Sequence, residues 1–172
     1  MSKAGDSASV TVLLTVDRGR AFEAFTRDID RWWRRGPRFR NAPGDRGFIC
    51  IEPGVGGRVF ESFDVDQERG GKVVEIGRVM VWEPPSRLLF QWRNANFAPF
   101  EQTEVEVRFE AAMTGDADGC RVTVVHRGWS GIRPDHPARH GQPTVEFVRG
   151  IGLWWGDQMA ALRGLCAAEI RG

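Results

Sequence analysis

Cysteine is scarce in this sequence and tyrosine is absent. The three cysteines, Cys50, Cys120 and Cys166, are far apart, and no two have the close spacing of a zinc or thioredoxin-like motif. We therefore expect reduced, buried thiols and no metal site. An apolar signal region and a run of transmembrane length are missing too, which predicts a cytoplasmic protein without a membrane partner.

A large net charge of either sign is also missing. The chain carries 24 Lys and Arg against 23 Asp and Glu, which gives a formal net charge of +1. So small a charge creates no overall field that would attract nucleic acid, and we expect no such partner. The 172 residues suit one domain over residues 1–172. What the chain has in abundance is seven Trp and eleven Phe, which suit cores and ligand pockets about equally.

The N-terminal pattern predicts a strand followed by helical structure. Residues 9–17 are rich in β-branched side chains, as strands are. Asp17 is placed to cap a helix, because apolar residues recur at helical spacing after it. The loop at residues 34–47 is rich in Gly, Pro and Arg. Its charges indicate either a solvated surface or an anion-binding loop.

Six more strand-like segments follow, separated by turn signals, before a long helix over residues 144–170. Connections this short cannot make parallel crossovers, so we expect an antiparallel meander and an α+β fold. The predicted helix has an apolar stripe of Val148, Trp155, Met159, Leu162 and Cys166. No other element is long enough to cover the inner face of the sheet, which would otherwise expose a large apolar patch.

The stretch EPGVGGRVFE, residues 52–61, raises the question of a phosphate-binding loop. It lacks the third glycine of the dinucleotide fingerprint, and a strand follows it rather than a helix. We therefore predict a tight turn in which Glu52 faces Arg58 as an opposite-charge pair. In that register Glu61 lies on an apolar face. A carboxylate is uncommon in such a position, so Glu61 is a candidate functional residue.

The turn signals also predict the registers of two later hairpins. The first, around EPPS, gives the pairs Val81–Leu88, Val79–Phe90 and Gly77–Trp92 on one face, and we expect the missing side chain at Gly77 to leave room for the Trp92 indole. The last gives the pairs Phe109–Val122, Val107–Val124 and Val105–His126. His126 then points inward among valines, where it is either a hydrogen-bonded core histidine or a ligand contact or proton carrier.

A loop with the sequence DHPARH, residues 135–140, is the one place where a metal site comes into question. His136 and His140 have a spacing that suits a metal on a helix. Two prolines nearby argue against a helix there, so we predict no metal in this loop.

The order of strand, helix pair, six-strand meander and long helix resembles the helix-grip fold of the START-like superfamily, also called SRPBCC or birch-pollen-allergen-like. The phrases AFEAFTRDIDRWW, EPGVGGRVFE, GRVMVWEPPSRLLFQW, TEVEVRFE and CRVTVVHRGW resemble bacterial homologues of the activator of the heat-shock-protein-90 ATPase. This resemblance implies a curved antiparallel seven-stranded sheet wrapped on the C-terminal helix, with two short helices after strand 1. It also implies a cavity between sheet and helix.

The leading functional hypothesis is non-enzymatic binding of a small, mostly apolar or lipid-like ligand in that cavity, without a cofactor. An inward face rich in Val, Phe and Trp with few polar groups is typical of a ligand pocket. The residues expected to contact the ligand are Phe25, Trp33, Glu61, Phe63, Val79, Phe90, Trp92, Val105, Val107, Phe109, Val124, His126, Trp155 and Met159.

Two alternatives stay open. One is a cyclase or hydrolase in which Glu61 and His126 form an acid–base pair, because burial tends to raise the pKa of a carboxyl toward neutrality. The other is an interaction module, as a chaperone partner or a homodimer. Trp82, Trp129 or Trp154 would then mark an exposed surface.

Overall fold

The computed structural model describes residues 5–42, 46–63, 71–93 and 96–172. Its elements are β1 (Ser7–Leu14), α1 (Arg18–Thr26), α2 (Ile29–Trp32), β2 (Phe48–Ile51), β3 (Arg58–Phe63), β4 (Lys72–Glu83), β5 (Arg87–Trp92), β6 (Thr103–Thr114), β7 (Ala117–Arg127) and α3 (Thr144–Ile170). Two 3₁₀ turns, Trp129–Gly131 and Pro137–Arg139, precede α3. The described strands form one curled antiparallel sheet in the order β1-β7-β6-β5-β4-β3-β2. The predicted fold class is confirmed.

Helix α1 begins where the sequence predicts. Asp17 is its N-cap, and the Asp17 carboxylate accepts a hydrogen bond from the Arg20 backbone N–H over 2.9 Å. This bond satisfies one of the amide donors that the first helical turn leaves unpaired. Phe22 and Phe25 of α1 and Trp32 of α2 are buried in the core. The two short helices thus close one end of the interior.

The glycine-rich stretch is a turn between β2 and β3, as predicted. Arg58 pairs with the Glu52 carboxylate at 2.5 Å, and hydrogen bonds from Arg58 lower the pKa of Glu52 to about 2. Gly54 and Gly56 have φ values of +89° and +86°, which glycine adopts without strain. The register that follows is the predicted one, with Ile49 opposite Glu61.

The later hairpins follow the predicted register in full between β6 and β7 and in part between β4 and β5. The three pairs predicted between β6 and β7 are all present. Between β4 and β5, Val79 faces Phe90 as predicted, but Val81 faces Leu89 and not Leu88. The register shifts between Val79 and Val81, because a bulge places an extra residue on one strand. Turn position alone does not reveal such a bulge.

The role predicted for Gly77 is wrong. A Cβ at Gly77 would come within 1.6 Å of the Gln91 carbonyl oxygen. The missing side chain therefore makes room for the backbone of β5, and not for the indole of Trp92. A close approach between two strands is a recognised reason for glycine in a strand interior.

Helix α3 covers the sheet as predicted. Its stripe residues Trp155, Met159, Leu162 and Cys166 are at most 1% exposed and share one core cluster with the inward residues of β5, β6 and β7. Each buried side chain of this size contributes about 1.5–3 kcal/mol relative to an exposed one. The centre of the sheet–helix interface is therefore packed with side chains. Among the helices of the described residues, none has the length and apolar character needed to cross a lipid bilayer.

Candidate ligand-binding cleft

A cleft of about 630 Å³ lies beside the N-terminal half of α3. The described residues that line it are Phe147, Gly150, Ile151 and Trp154 of α3; Val74, Ile76, Trp92, Arg93 and His126 from the sheet and the end of β5; Pro37, Arg38, Phe39, Arg40 and Asn41; and Asn96, Trp129, His136, Pro137, Ala138, His140 and Gln142. The cleft is thus walled by the sheet, by α3 and by two loops. Its volume falls in the range of small-molecule sites.

Gly150 contributes to the free volume of the cleft. This glycine faces the cleft from α3, and a Cβ placed on it would meet no atom within 4 Å. A glycine inside a helix costs up to about 1 kcal/mol relative to alanine. At Gly150 the missing side chain leaves open space, and no neighbouring atom comes close to the position of a Cβ.

Four tryptophans form a connected cluster at the cleft. Trp33, Trp92, Trp154 and Trp155 are in mutual contact, with ring centroids 5.0 to 6.4 Å apart. Trp92 and Trp154 of this cluster line the cleft directly. Rigid aromatic surface of this kind gives apolar contact to a ligand at a low entropic cost.

The loop that forms one wall is attached through two indoles. Trp154 Nε1 donates a hydrogen bond to the Arg38 carbonyl oxygen over 2.9 Å. Trp33 Nε1 donates to the Phe39 carbonyl oxygen over 3.0 Å. The tryptophan cluster therefore fixes the position of this wall.

His126 lies in a chain of hydrogen bonds at the cleft. The Nε1–H of Trp155 can only donate, and it donates to His126 Nδ1 over 3.0 Å. The proton of the neutral ring is therefore on Nε2, which donates to Thr103 Oγ1 over 2.8 Å. Thr103 Oγ1 in turn donates to the Trp92 carbonyl oxygen over 3.1 Å. Burial lowers the pKa of His126 to about 3, so the imidazole is neutral near pH 7.

Glu61 holds the neighbouring loop. Its carboxylate is buried and accepts hydrogen bonds from the backbone N–H groups of Asn41 and Ala42, each over 2.8 Å. The Asn41 side-chain amide donates to it as well, over 3.0 Å. The structure does not bring Glu61 and His126 together, because β4, β5 and β6 separate their strands in the sheet.

Of the fourteen residues predicted to contact a ligand, Trp92 and His126 line the cleft. The other twelve are absent from its described lining. Ten of these belong to the main core cluster: Phe25, Trp33, Val79, Phe90, Val105, Val107, Phe109, Val124, Trp155 and Met159. Glu61 and Phe63 are buried on β3.

Sequence reasoning missed most of the cleft wall. Trp129 was expected at the surface as one option, yet it is 1% exposed and lines the cleft. The loops at residues 34–47 and 135–140 both supply wall residues. The first was expected to be a solvated surface or an anion-binding loop, and the second was considered only as a metal site, which was rejected. No group of three or more His, Cys, Asp or Glu side chains within the described ranges is arranged to hold a metal ion. Phe39, which stands between Arg38 and Arg40 in the first loop, was the available signal.

A curled seven-stranded antiparallel sheet wrapped on a long C-terminal helix, with a cleft at one end of that helix, defines the START-like class of α+β proteins. Within this class, the family model described as "Activator of Hsp90 ATPase homolog 1-like protein" matches residues 15–163, and the chain belongs to that family. A comparison with curated proteins gives no match.

Several solved structures share the fold. Protein NE0264 from Nitrosomonas europaea is 15% identical, with a TM-score of 0.62 over 97% of both chains. The Aha1 dimer from Colwellia psychrerythraea is 15% identical, with a TM-score of 0.57 over 93% of this chain and 95% of that chain. DynU16, a protein of the dynemicin biosynthetic locus, is 22% identical, with a TM-score of 0.55 over 92% of this chain and 46% of its own. At these identities the likeness concerns the fold alone.

Proposed function

We propose that the protein binds a small, mostly apolar molecule in the cleft beside α3 and catalyses no reaction on it. The observation that carries this proposal is the cleft of about 630 Å³ with tryptophan in its wall. Small-molecule sites are typically concave spaces of this size, lined by aromatic side chains and a few polar groups. The cleft lies at the end of the sheet–helix interface. The family resemblance implies a cavity in the same place, between the sheet and the C-terminal helix.

The hydrogen bonds of His126 and Glu61 favour binding over acid–base catalysis. Both nitrogens of His126 are hydrogen-bonded within the protein. Both carboxylate oxygens of Glu61 accept from loop amides. A general acid or base must reach the proton that it transfers. His126 has no free nitrogen, and Glu61 is absent from the described lining of the cleft, so neither is placed to transfer a proton to a molecule bound there.

The wall of the cleft is attached before any ligand arrives. The indole hydrogen bonds from Trp154 and Trp33, together with the Glu61 carboxylate, hold the loop at residues 38–42. A site that is already ordered loses less conformational entropy on binding. This supports a binding role for the cleft.

Gly150→Leu is expected to abolish binding of N-phenyl-1-naphthylamine, a neutral aromatic probe whose fluorescence rises in apolar sites. The new side chain extends into the free space that Gly150 leaves in the cleft. The wild-type protein should bind the probe with a dissociation constant on the order of micromolar. Fluorescence titration measures both affinities.

Gly164→Leu is the matched control. Gly164 is also an exposed glycine of α3 with open space around it, but it is not among the residues that line the cleft. Both substitutions raise helix propensity by roughly 0.5–1 kcal/mol, so neither should unfold the protein. Absence of probe binding to the wild type, or equal binding by Gly150→Leu, would contradict the proposal.

A further inference from the structure

We propose that the natural ligand of the cleft is a flat aromatic molecule that carries one anionic group, such as a carboxylate, and that Arg93 recognises this group. The inference rests on the proposed function, because it names the class of ligand for the same cleft. It adds a charge requirement that the apolar wall alone does not impose.

The charges of the cleft wall have one sign. Among its described lining residues are three arginines and three histidines, and none is Asp or Glu. This imbalance is local, because the whole chain has a net charge of only +1. A cleft lined by one sign of charge concentrates ligands of the opposite sign.

Two of the three arginines are already neutralised. Arg38 pairs with Asp157 at 3.1 Å. Arg40, whose side chain is 1% exposed, pairs with Asp30 at 2.7 Å. These two side chains therefore stabilise the wall and leave little net charge for a ligand.

Arg93 differs from both. Its Nη2 donates to the Ala98 carbonyl oxygen over 2.9 Å, and no carboxylate of the described residues pairs with it. Arg93 is half-buried at the end of β5 and lines the cleft. Its guanidinium group has further donors in a planar fork that matches a carboxylate.

His126 does not add positive charge to the wall. Its Nδ1 accepts from Trp155 Nε1–H, and burial lowers the pKa of its ring to about 3. His136 Nδ1 accepts a hydrogen bond from the backbone N–H of Ala138 over 3.1 Å. The permanent positive charge of the wall is that of arginine, which stays protonated in proteins.

The rings of the wall favour a flat ligand. Trp92, Trp154 and Phe147 line the cleft, and Trp129 packs between His126 and Phe147 with ring centroids 4.5 and 5.1 Å away. Aromatic side chains interact best with other rings in stacked or edge-to-face arrangements. A planar apolar body with an anionic edge is the shape that satisfies these rings and Arg93 together.

The test compares 2-naphthoate with 2-naphthamide, which have nearly the same shape and differ in charge. Isothermal titration calorimetry at about pH 7.5, where a carboxyl is ionised, measures both affinities directly. We expect the wild type to bind 2-naphthoate at least about tenfold more tightly than 2-naphthamide. Arg93→Gln should remove this preference and leave the affinity for 2-naphthamide within about twofold.

Two further variants keep the result interpretable. Arg163→Gln removes the same charge from an exposed position of α3 outside the described cleft lining, and it should retain the preference. Arg93→Lys keeps the charge and should retain part of the preference for 2-naphthoate.

The outcomes separate this inference from the proposed function. Equal affinities for 2-naphthoate and 2-naphthamide in the wild type, or a preference that survives Arg93→Gln, would overturn the charge requirement while binding in the cleft stands. If neither naphthalene compound nor N-phenyl-1-naphthylamine binds the wild type, both proposals fail.

Discussion

His126 is a buried imidazole whose neighbours select one tautomer. Trp155 donates to Nδ1, and Thr103 accepts from Nε2. The folded protein therefore has no acceptor site left on this ring for a second proton. An unfolded chain exposes the same ring to water, where its pKa is about 6.5.

This difference predicts that the protein loses stability in mild acid. The pKa of His126 is about 3 in the folded state, so between pH 6.5 and 3 the unfolded state binds more protons. The stabilisation is present above about pH 6.5 and is lost as the pH falls, at up to about 1.4 kcal/mol per pH unit. Urea unfolding at several pH values between about 6.5 and 4.5 measures the slope.

His126→Asn separates this effect from acid unfolding in general. Asparagine can accept from Trp155 but does not titrate, so the variant should be less stable than wild type at pH 7 by about 1–3 kcal/mol. Its stability should change less between about pH 6.5 and 4.5. Below that window, carboxylates with lowered pKa values, such as Glu52 at about 2, also lose stabilisation. Identical slopes for the variant and wild type would exclude His126 as the source.

The inward direction of Glu61 and His126 was predictable from strand alternation, and both are buried as expected. Their partners were not predictable in this way. Glu61 binds amides 19 and 20 residues away, and His126 binds an indole 29 residues away. Such contacts depend on how the loop and α3 close over the sheet, and no local pattern encodes that.

At the scale of elements, the loop at residues 38–42 depends on Glu61 of β3. Both carboxylate oxygens accept from N–H donors, so in Glu61→Gln the new amide group would face a donor. We expect a loss of about 1–3 kcal/mol in the free energy of unfolding. Chemical denaturation measures it, and hydrogen exchange should show faster exchange at Asn41 and Ala42.

Glu75→Gln is the control for this prediction. Glu75 is a carboxylate on the neighbouring strand that is exposed and pairs only with Arg78 among the interactions of the described residues. Exposed ion pairs contribute about 0–1 kcal/mol, so its loss should be small. Equal effects of the two substitutions would show that Glu61 does not anchor the loop.

Helix α3 shows what periodicity can and cannot predict. The stripe from Val148 to Cys166 predicted its buried face and its bounds, and both are confirmed. The same pattern did not reveal that Phe147, Gly150, Ile151 and Trp154 border the cleft, while Trp155, Met159, Leu162 and Cys166 are packed in the core. That division depends on Gly150 and on loops far away in sequence.

At the scale of the whole molecule, the three free cysteines report on opening of the core. Cys120 and Cys166 are fully buried in one core cluster, and burial raises the pKa of each thiol to about 11. Cys50 is only partly buried. We expect a dithiopyridine reagent to label one thiol quickly and the other two slowly, with a common rate constant set by opening of the protein.

Cys50→Ser should remove the fast phase of thiol labelling and leave the slow phase unchanged. Added urea should accelerate the slow phase, because it promotes the opening that exposes the core. Rapid labelling of all three thiols in the absence of denaturant would mean that the core between the sheet and α3 is not closed.

The tryptophan cluster has an optical consequence. Rings whose centroids lie 5.0 to 6.4 Å apart exchange excitation energy much faster than they emit, so Trp33, Trp92, Trp154 and Trp155 should behave as one chromophore. Only two of these indoles line the cleft, yet an occupant that quenches either one would dim the emission of the whole set. The chain therefore carries its own label-free reporter of whether the cleft is filled.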